Sequence, residues 1–123
     1  MKIPISYCLG YPERLPLRAE RLKLEECASL TFSSPDEERF PALRLAREAL
    51  NAGGSAPVVL NGANEVAVAA FLNRRIGFTD IAAYCEMALS DIALSEVEGL
   101  DDVVAYDNLA REHVAQSLGQ RQT

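Results

Sequence analysis

Apolar residues recur every three or four positions from residue 34 onward, which is the pattern of helices that bury one face. The clearest stripe consists of Phe78, Ile81, Ala82, Cys85, Ala88, Leu89 and Ile92. A later stripe consists of Val103, Tyr106, Ala110, Val114 and Leu118. The acidic pair Asp101 and Asp102 precedes the later stripe and suits a helix start. We predict a helix for each stripe, with Thr79 as the cap of the first.

Two further helices are predicted from proline, glycine and capping residues. Ser34 suits an N-cap, with Glu37 at the capping-box position, and Pro41 restarts this helix. Its apolar face is predicted to hold Leu43, Ala46 and Leu50. The glycines at 53–54 end it. Pro57 opens the next helical element, which is expected to reach about residue 74 with one interruption.

The N-terminal residues have a different pattern, rich in proline and charge. Residues 4–10 predict one short helix, and the β-prone residues 29–33 predict one short strand without an evident partner. The predicted fold is therefore mainly α: a four-helix-bundle-like domain at 37–123, preceded by an irregular segment at 1–36. A tail at 119–123 is expected to fray.

One polar cluster interrupts the apolar pattern: Asn61, Gly62, Asn64 and Glu65, within "VLNGANEVAVAAF". If one helix runs through Gly62, the polar side chains project from the same side and resemble a site. If the helix breaks, Asn61 or Gly62 becomes an N-cap and Glu65 falls at a capping-box position. We favour the broken helix, in which the polar groups serve structure.

Charge and cysteine content exclude several classes of function. The net charge is −6 and the pI about 4.8, which disfavours nucleic acid and anionic membranes as partners. No apolar run approaches the length of about 20 residues of a membrane span, and proline and charge interrupt the N-terminus too early for a signal peptide. The chain has three cysteines, an odd number, and no two of them form a C-x-x-C pair: Cys8, Cys27 and Cys85. This pattern predicts buried, reduced thiols in a cytoplasmic protein.

No other residue group has the composition of a catalytic or binding site. His113 has no evident triad partner, so we interpret it as structural. The glycine pair at 53–54 follows a helix and is a C-cap rather than a phosphate loop. The acidic groups at 36–38 and 98–102 are interpreted as helix caps rather than metal ligands. We therefore assign no catalytic, cofactor-binding or metal-binding residue to this chain.

Two longer motifs carry a resemblance to a known family. "LTFSSPDEERFPALRLA" and "VLNGANEVAVAAFL", with the spacing to "VVAYDNLARE", closely resemble the C-terminal part of the 1-deoxy-D-xylulose 5-phosphate reductoisomerases. The resemblance implies enzymes that rearrange and reduce this substrate to 2-C-methyl-D-erythritol 4-phosphate with NADPH and Mn²⁺ or Mg²⁺, in the non-mevalonate route to isoprenoids. Members more often have Ala where this chain has Gly62, which is expected to loosen the turn or helix there.

The same resemblance implies how this chain relates to the enzyme. Family subunits dimerise and contain an NADPH domain, a catalytic domain and a C-terminal helical bundle. The glycine loop and metal carboxylates lie upstream, so the chain is expected to begin inside the enzyme, to support the catalytic domain and to be inactive alone. Its expected partners are that catalytic domain and a second copy in a homodimer. The alternative hypothesis is a free-standing acidic helical interaction module, motivated by the apolar segment at 3–15.

Overall fold

The N-terminal part of the chain contains one short, largely exposed helix. The computed structural model describes residues 2–17, 22–27 and 29–120, and it divides the chain into two compact units, 1–34 and 35–123. The first unit contains helix α1 (Lys2–Gly10) and a 3₁₀ turn at Leu24–Glu26. The predicted short helix is confirmed. The predicted strand at 29–33 is wrong, since these residues pair with no other strand and Phe32 is 88% exposed.

Four helices form the second unit. They are α2 (Pro41–Ala52), α3 (Ala56–Leu72), α4 (Phe78–Asp91) and α5 (Leu100–Gln120). Helix α3 is central and packs against the other three. Its buried positions are mostly alanine and glycine, which lets the neighbouring helices approach closely. The predicted mainly α fold is confirmed, and none of the described residues forms a strand.

The helix starts differ from the predicted ones. Residues 37–39 form a turn, so the predicted N-cap at Ser34 is wrong. The Asp36 carboxylate accepts a hydrogen bond from the Arg39 N–H at 2.9 Å, and such side-chain bonds favour turns over helix. Helix α4 begins after Gly77 rather than at Thr79. There the Asp80 carboxylate accepts from the Gly77 N–H at 2.8 Å.

Helix α2 buries a different edge of its apolar face from the one predicted. Leu45 and Ala49 are buried, whereas Leu43 is 40% exposed, Leu50 is 74% exposed and Ala46 is exposed. The helix has apolar residues over about half its circumference. Helical periodicity identifies that wide arc, but it does not identify which edge the rest of the unit covers.

The predicted stripes of α4 and α5 are largely confirmed. In α5, Ala110, Val114 and Leu118 are buried, while Val103 and Tyr106 are half-buried. In the α4 stripe, every predicted position is buried or half-buried except Phe78, which is 66% exposed. The ring of Phe78 packs edge-to-face with that of Phe71. The expected fraying concerns residues 119–123, of which 121–123 lie outside the described residues. No helix in the described part of the chain is long and apolar enough to cross a membrane.

A buried serine fastens the loop between α4 and α5. Ser55 is fully buried; its N–H donates to the Ser95 carbonyl at 2.8 Å, and its Oγ accepts from the Ser95 N–H at 3.1 Å. Gly54, at φ +51°, lies so close that a Cβ there would be 2.4 Å from the Ser95 carbonyl oxygen. Gly53, at φ +68°, ends α2 as predicted. The loop is thereby held at the N-terminus of α3.

Candidate functional site

Helix α3 runs without a break through the polar cluster. Asn61, Gly62, Asn64 and Glu65 all lie inside the helix Ala56–Leu72, so the predicted turn and its caps are wrong. The residues instead form one arc across the helix surface. Asn64 lies on the side toward α2 and α4, Glu65 and Gly62 lie on the side toward α5, and Asn61 lies between them and borders both. The structure therefore realises the alternative of one unbroken helix, but it spreads these residues over neighbouring parts of the helix surface rather than gathering them at one point.

Gly62 is the point of closest approach between α3 and α5. It is buried, and a Cβ built there would lie 3.1 Å from both the carbonyl oxygen and Oδ1 of Asp107 and 3.2 Å from Cβ of Ala110. These distances are shorter than ordinary van der Waals contacts. No turn forms at Gly62, so the expectation of a loosened turn is wrong, whereas a loosened helix stays a prediction. The missing side chain allows the close packing of α3 against α5.

Glu65 belongs to an ion-pair cluster between α3 and α5. Arg111 donates from Nε to Asp107 Oδ2 at 2.6 Å and from Nη2 to Glu65 Oε2. Hydrogen bonds to Asp107 first, and then to Glu65, raise the pKa of Arg111, which keeps its charge at every accessible pH. Asp107 and Arg111 are four residues apart on α5, so the sequence alone already favours their pairing. The contact of Glu65 with Arg111 was not predicted, because 46 residues separate the two and no local pattern connects them.

Asn61 and Asn64 border an apolar groove between α2, α3 and α4. The groove has a volume of about 530 Å³. Its walls include Leu45, Ala46, Leu50, Leu60, Ile81 and Ala82. In the part of the chain that the structure describes, no charged side chain lines the groove, and Asn61 and Asn64 are exposed without a hydrogen-bond partner. The sequence signal for this groove was the apolar arc of α2, which is wider than the face it buries.

His113 has a partner that the sequence did not reveal. Its Nε2 lies 3.1 Å from Oδ2 of Asp91, at the end of α4. Both side chains are partly exposed, at 28% and 53%. The pair joins the surfaces of α4 and α5, which agrees with the structural interpretation of His113 and corrects the expectation that it lacks a partner.

The other candidate groups have structural contacts. Asp102 Oδ2 accepts from the N–H groups of Glu98 at 2.9 Å and Gly99 at 3.3 Å, which confirms its capping role at the start of α5. Cys85 is buried, and burial raises the pKa of its thiol to about 11. Cys8 is exposed and Cys27 is half-buried, so the prediction of three buried thiols is confirmed only for Cys85. In the described ranges, no three His, Cys, Asp or Glu side chains are grouped to hold a metal ion.

Comparison with known proteins assigns the family. The model of the DXP reductoisomerase C-terminal domain matches residues 1–113. The chain belongs to this family. The resemblance that the sequence motifs indicated is thereby confirmed, and it extends over both units of this reductoisomerase domain.

Individual relatives show how much of an enzyme this domain represents. The 1-deoxy-D-xylulose 5-phosphate reductoisomerase of Pseudomonas aeruginosa (strain UCBPP-PA14) is 51% identical, over 96% of this chain and 30% of its own length. That of Caulobacter vibrioides is 46% identical, over 98% and 32%. This reductoisomerase domain therefore spans about a third of the curated relatives it matches.

Solved structures agree with this fold. The Zymomonas mobilis reductoisomerase in complex with NADPH superimposes with a TM-score of 0.81 at 44% identity, over 95% of this chain and 31% of that one. A reductoisomerase in complex with NADPH, fosmidomycin and magnesium also gives a TM-score of 0.81, at 35% identity over 99% and 32%. The helical arrangement described above is thus that of the C-terminal domain in these enzymes.

Proposed function

We propose that this chain is the C-terminal helical part of a 1-deoxy-D-xylulose 5-phosphate reductoisomerase and that it is inactive alone. The whole enzyme would convert its substrate to 2-C-methyl-D-erythritol 4-phosphate with NADPH and a divalent metal. The observation that carries the proposal is the family match over residues 1–113, with relatives about half identical that are roughly three times longer.

The role of this part would be mechanical. Relatives have been solved with NADPH and with magnesium, but the residues described here do not fit a magnesium site. Glu65 and Asp107, two carboxylates within the motifs that carry the family resemblance, are already paired with Arg111. The chain's own residues would therefore hold one wall of the catalytic domain in place, and we assign no chemical step to them.

The proposal includes the arrangement and partners of the chain. Residues 1–36 would be the end of the catalytic domain and a linker, and residues 37–123 the helical bundle. The partner would be the catalytic domain of the same enzyme, in a homodimeric cytoplasmic protein that binds neither nucleic acid nor membrane. The net charge of −6 supports the last point.

The test uses a chimeric enzyme. The matched C-terminal segment of the P. aeruginosa reductoisomerase is replaced by all 123 residues of this chain, and NADPH consumption is measured with substrate and Mg²⁺ or Mn²⁺. We expect turnover by the chimeric enzyme and none by the purified chain. An inactive chimeric enzyme, or clear turnover by the chain alone, would contradict the proposal.

A further inference from the structure

We infer that the groove between α2, α3 and α4 is the docking surface for the catalytic part of the enzyme, and that Asn61 and Asn64 bind the backbone of the docked segment. The inference rests on the proposed function and specifies the surface through which that function operates. The occupant would be an extended, uncharged segment of polypeptide with apolar side chains.

The chemistry of the groove selects such a segment. Within the described ranges, its lining holds no Asp, Glu, Lys or Arg, so those residues offer no counter-charge to a phosphate or a carboxylate. Its walls are aliphatic, and alanines at positions such as 46 and 82 leave space between the helices. Leu50, on the outer wall, is 74% exposed. Apolar surface of this kind is typical of contacts with other protein segments.

The two asparagines supply the polar contacts that a buried backbone requires. They are three residues apart on α3 and therefore project in similar directions. Each carboxamide has a carbonyl acceptor and N–H donors, the same pair of groups that a peptide bond presents. A segment that enters an apolar groove must satisfy its own N–H and C=O groups. Asn61 and Asn64, which have no partner among the described residues, are placed to do so.

Continuity and charge favour the catalytic part over a second copy of this chain. A second recess, lined by Val58, Val103, Val104 and Asp107, also includes Asn61 and continues the surface from α3 to α5. Its carboxylate is already paired with Arg111. Each copy of this chain has a net charge of −6, so electrostatic repulsion would oppose the docking of a second copy. The relatives, in contrast, carry roughly twice this length of further polypeptide in the same chain as the domain.

The experiment compares the free chain with the chimeric enzyme defined above. The double variant Asn61→Ala/Asn64→Ala removes both amides, and Asn51→Ala/Asn108→Ala is the matched control, at two exposed helical asparagines outside the groove. Because alanine favours helix over asparagine, neither pair should lower the melting temperature of the free chain. In the chimeric enzyme, we expect the groove pair to lower kcat/KM about tenfold or more, and the control pair to leave it unchanged.

A second pair of variants places a charge instead of removing an amide. Ala46→Glu puts a carboxylate on the groove wall, and Ala115→Glu puts one on the exposed surface of α5. Only the first should lower turnover and the melting temperature of the chimeric enzyme, while the free chain keeps its helical circular dichroism in both.

The outcomes separate this inference from the proposed function. An active chimeric enzyme that tolerates both groove changes as well as their controls overturns the inference and leaves the proposed function standing. An inactive unsubstituted chimeric enzyme overturns both. A free chain that dimerises in sedimentation experiments, and becomes monomeric with Ala46→Glu, identifies a second copy as the occupant and also overturns the inference.

Discussion

Replacing Gly62 by valine should separate helices α3 and α5. The first added carbon would already lie 3.1 Å from two oxygens of Asp107 and 3.2 Å from Cβ of Ala110. Two of these three contacts are with the backbone or a Cβ of α5, which cannot rotate away. The two methyl groups of valine would extend further into the same space, so the helices must shift.

The magnitude follows from two opposing terms. Overfilling a well-packed interface costs about 1–3 kcal/mol, and more where the backbone must move. Valine favours helix over glycine by only about 0.4 kcal/mol. We therefore expect Gly62→Val to lower the free energy of unfolding by about 2 kcal/mol. Gly62→Ala adds a single carbon and gains about 1 kcal/mol of helix propensity, so its net effect should stay within about 1 kcal/mol.

Urea unfolding followed by far-ultraviolet circular dichroism measures this difference. Gly119→Val is the matched control, because Gly119 is helical and a Cβ there meets nothing within 4 Å. The control should lie within about 0.5 kcal/mol of the unsubstituted chain. If Gly62→Val is as stable as Gly119→Val, helices α3 and α5 do not approach each other as closely as described.

Three further predictions concern buried or paired groups in the second unit. Ser55→Ala removes the acceptor for the Ser95 N–H and should cost about 1–3 kcal/mol in the free energy of unfolding by urea denaturation. Below pH 9.0, ionisation of Cys85 should not affect the free energy of unfolding. Between pH 9.0 and about 11, the thiol ionises in the unfolded chain but not in the folded one, so the free energy of unfolding should fall by at most about 1.4 kcal/mol per pH unit. Glu65→Gln should lower the melting temperature slightly at low salt, and the difference should shrink as added NaCl screens the interaction with Arg111.

Each of these predictions has a control. Ser90→Ala removes an exposed hydroxyl bonded within α4 and should change stability far less than Ser55→Ala; equal effects would argue against the buried loop contact. Cys85→Ala should show a flatter alkaline profile than the unsubstituted chain, and identical profiles would mean that the Cys85 thiol is not shielded from water. A salt-independent difference for Glu65→Gln would count against an ionic contribution.

Short-range patterns predicted most of the helices correctly. The stripe of α5 and the glycine stop after α2 depend on residues close in the sequence, and both are present in the structure. The strand at 29–33 failed because β propensity without a partner strand does not form a sheet.

The polar cluster in α3 could not be interpreted correctly from local patterns. Asn-Gly within a helix pattern favours a turn, yet Gly62 is helical because α5 packs against it, and that contact spans more than 40 residues. Glu65 joins Arg111 across the same distance, and the groove beside Asn64 needs three helices to form. Such features depend on tertiary contacts, which local propensity does not encode.

The most direct test of the proposed supporting role is an assay of NADPH consumption. It compares the purified chain with the chimeric enzyme at equal concentrations, with substrate and Mg²⁺. A domain that holds a catalytic wall without performing chemistry predicts turnover in the chimeric enzyme and none above background in the free chain. Turnover by the free chain, or its absence from a folded chimeric enzyme, would contradict that role.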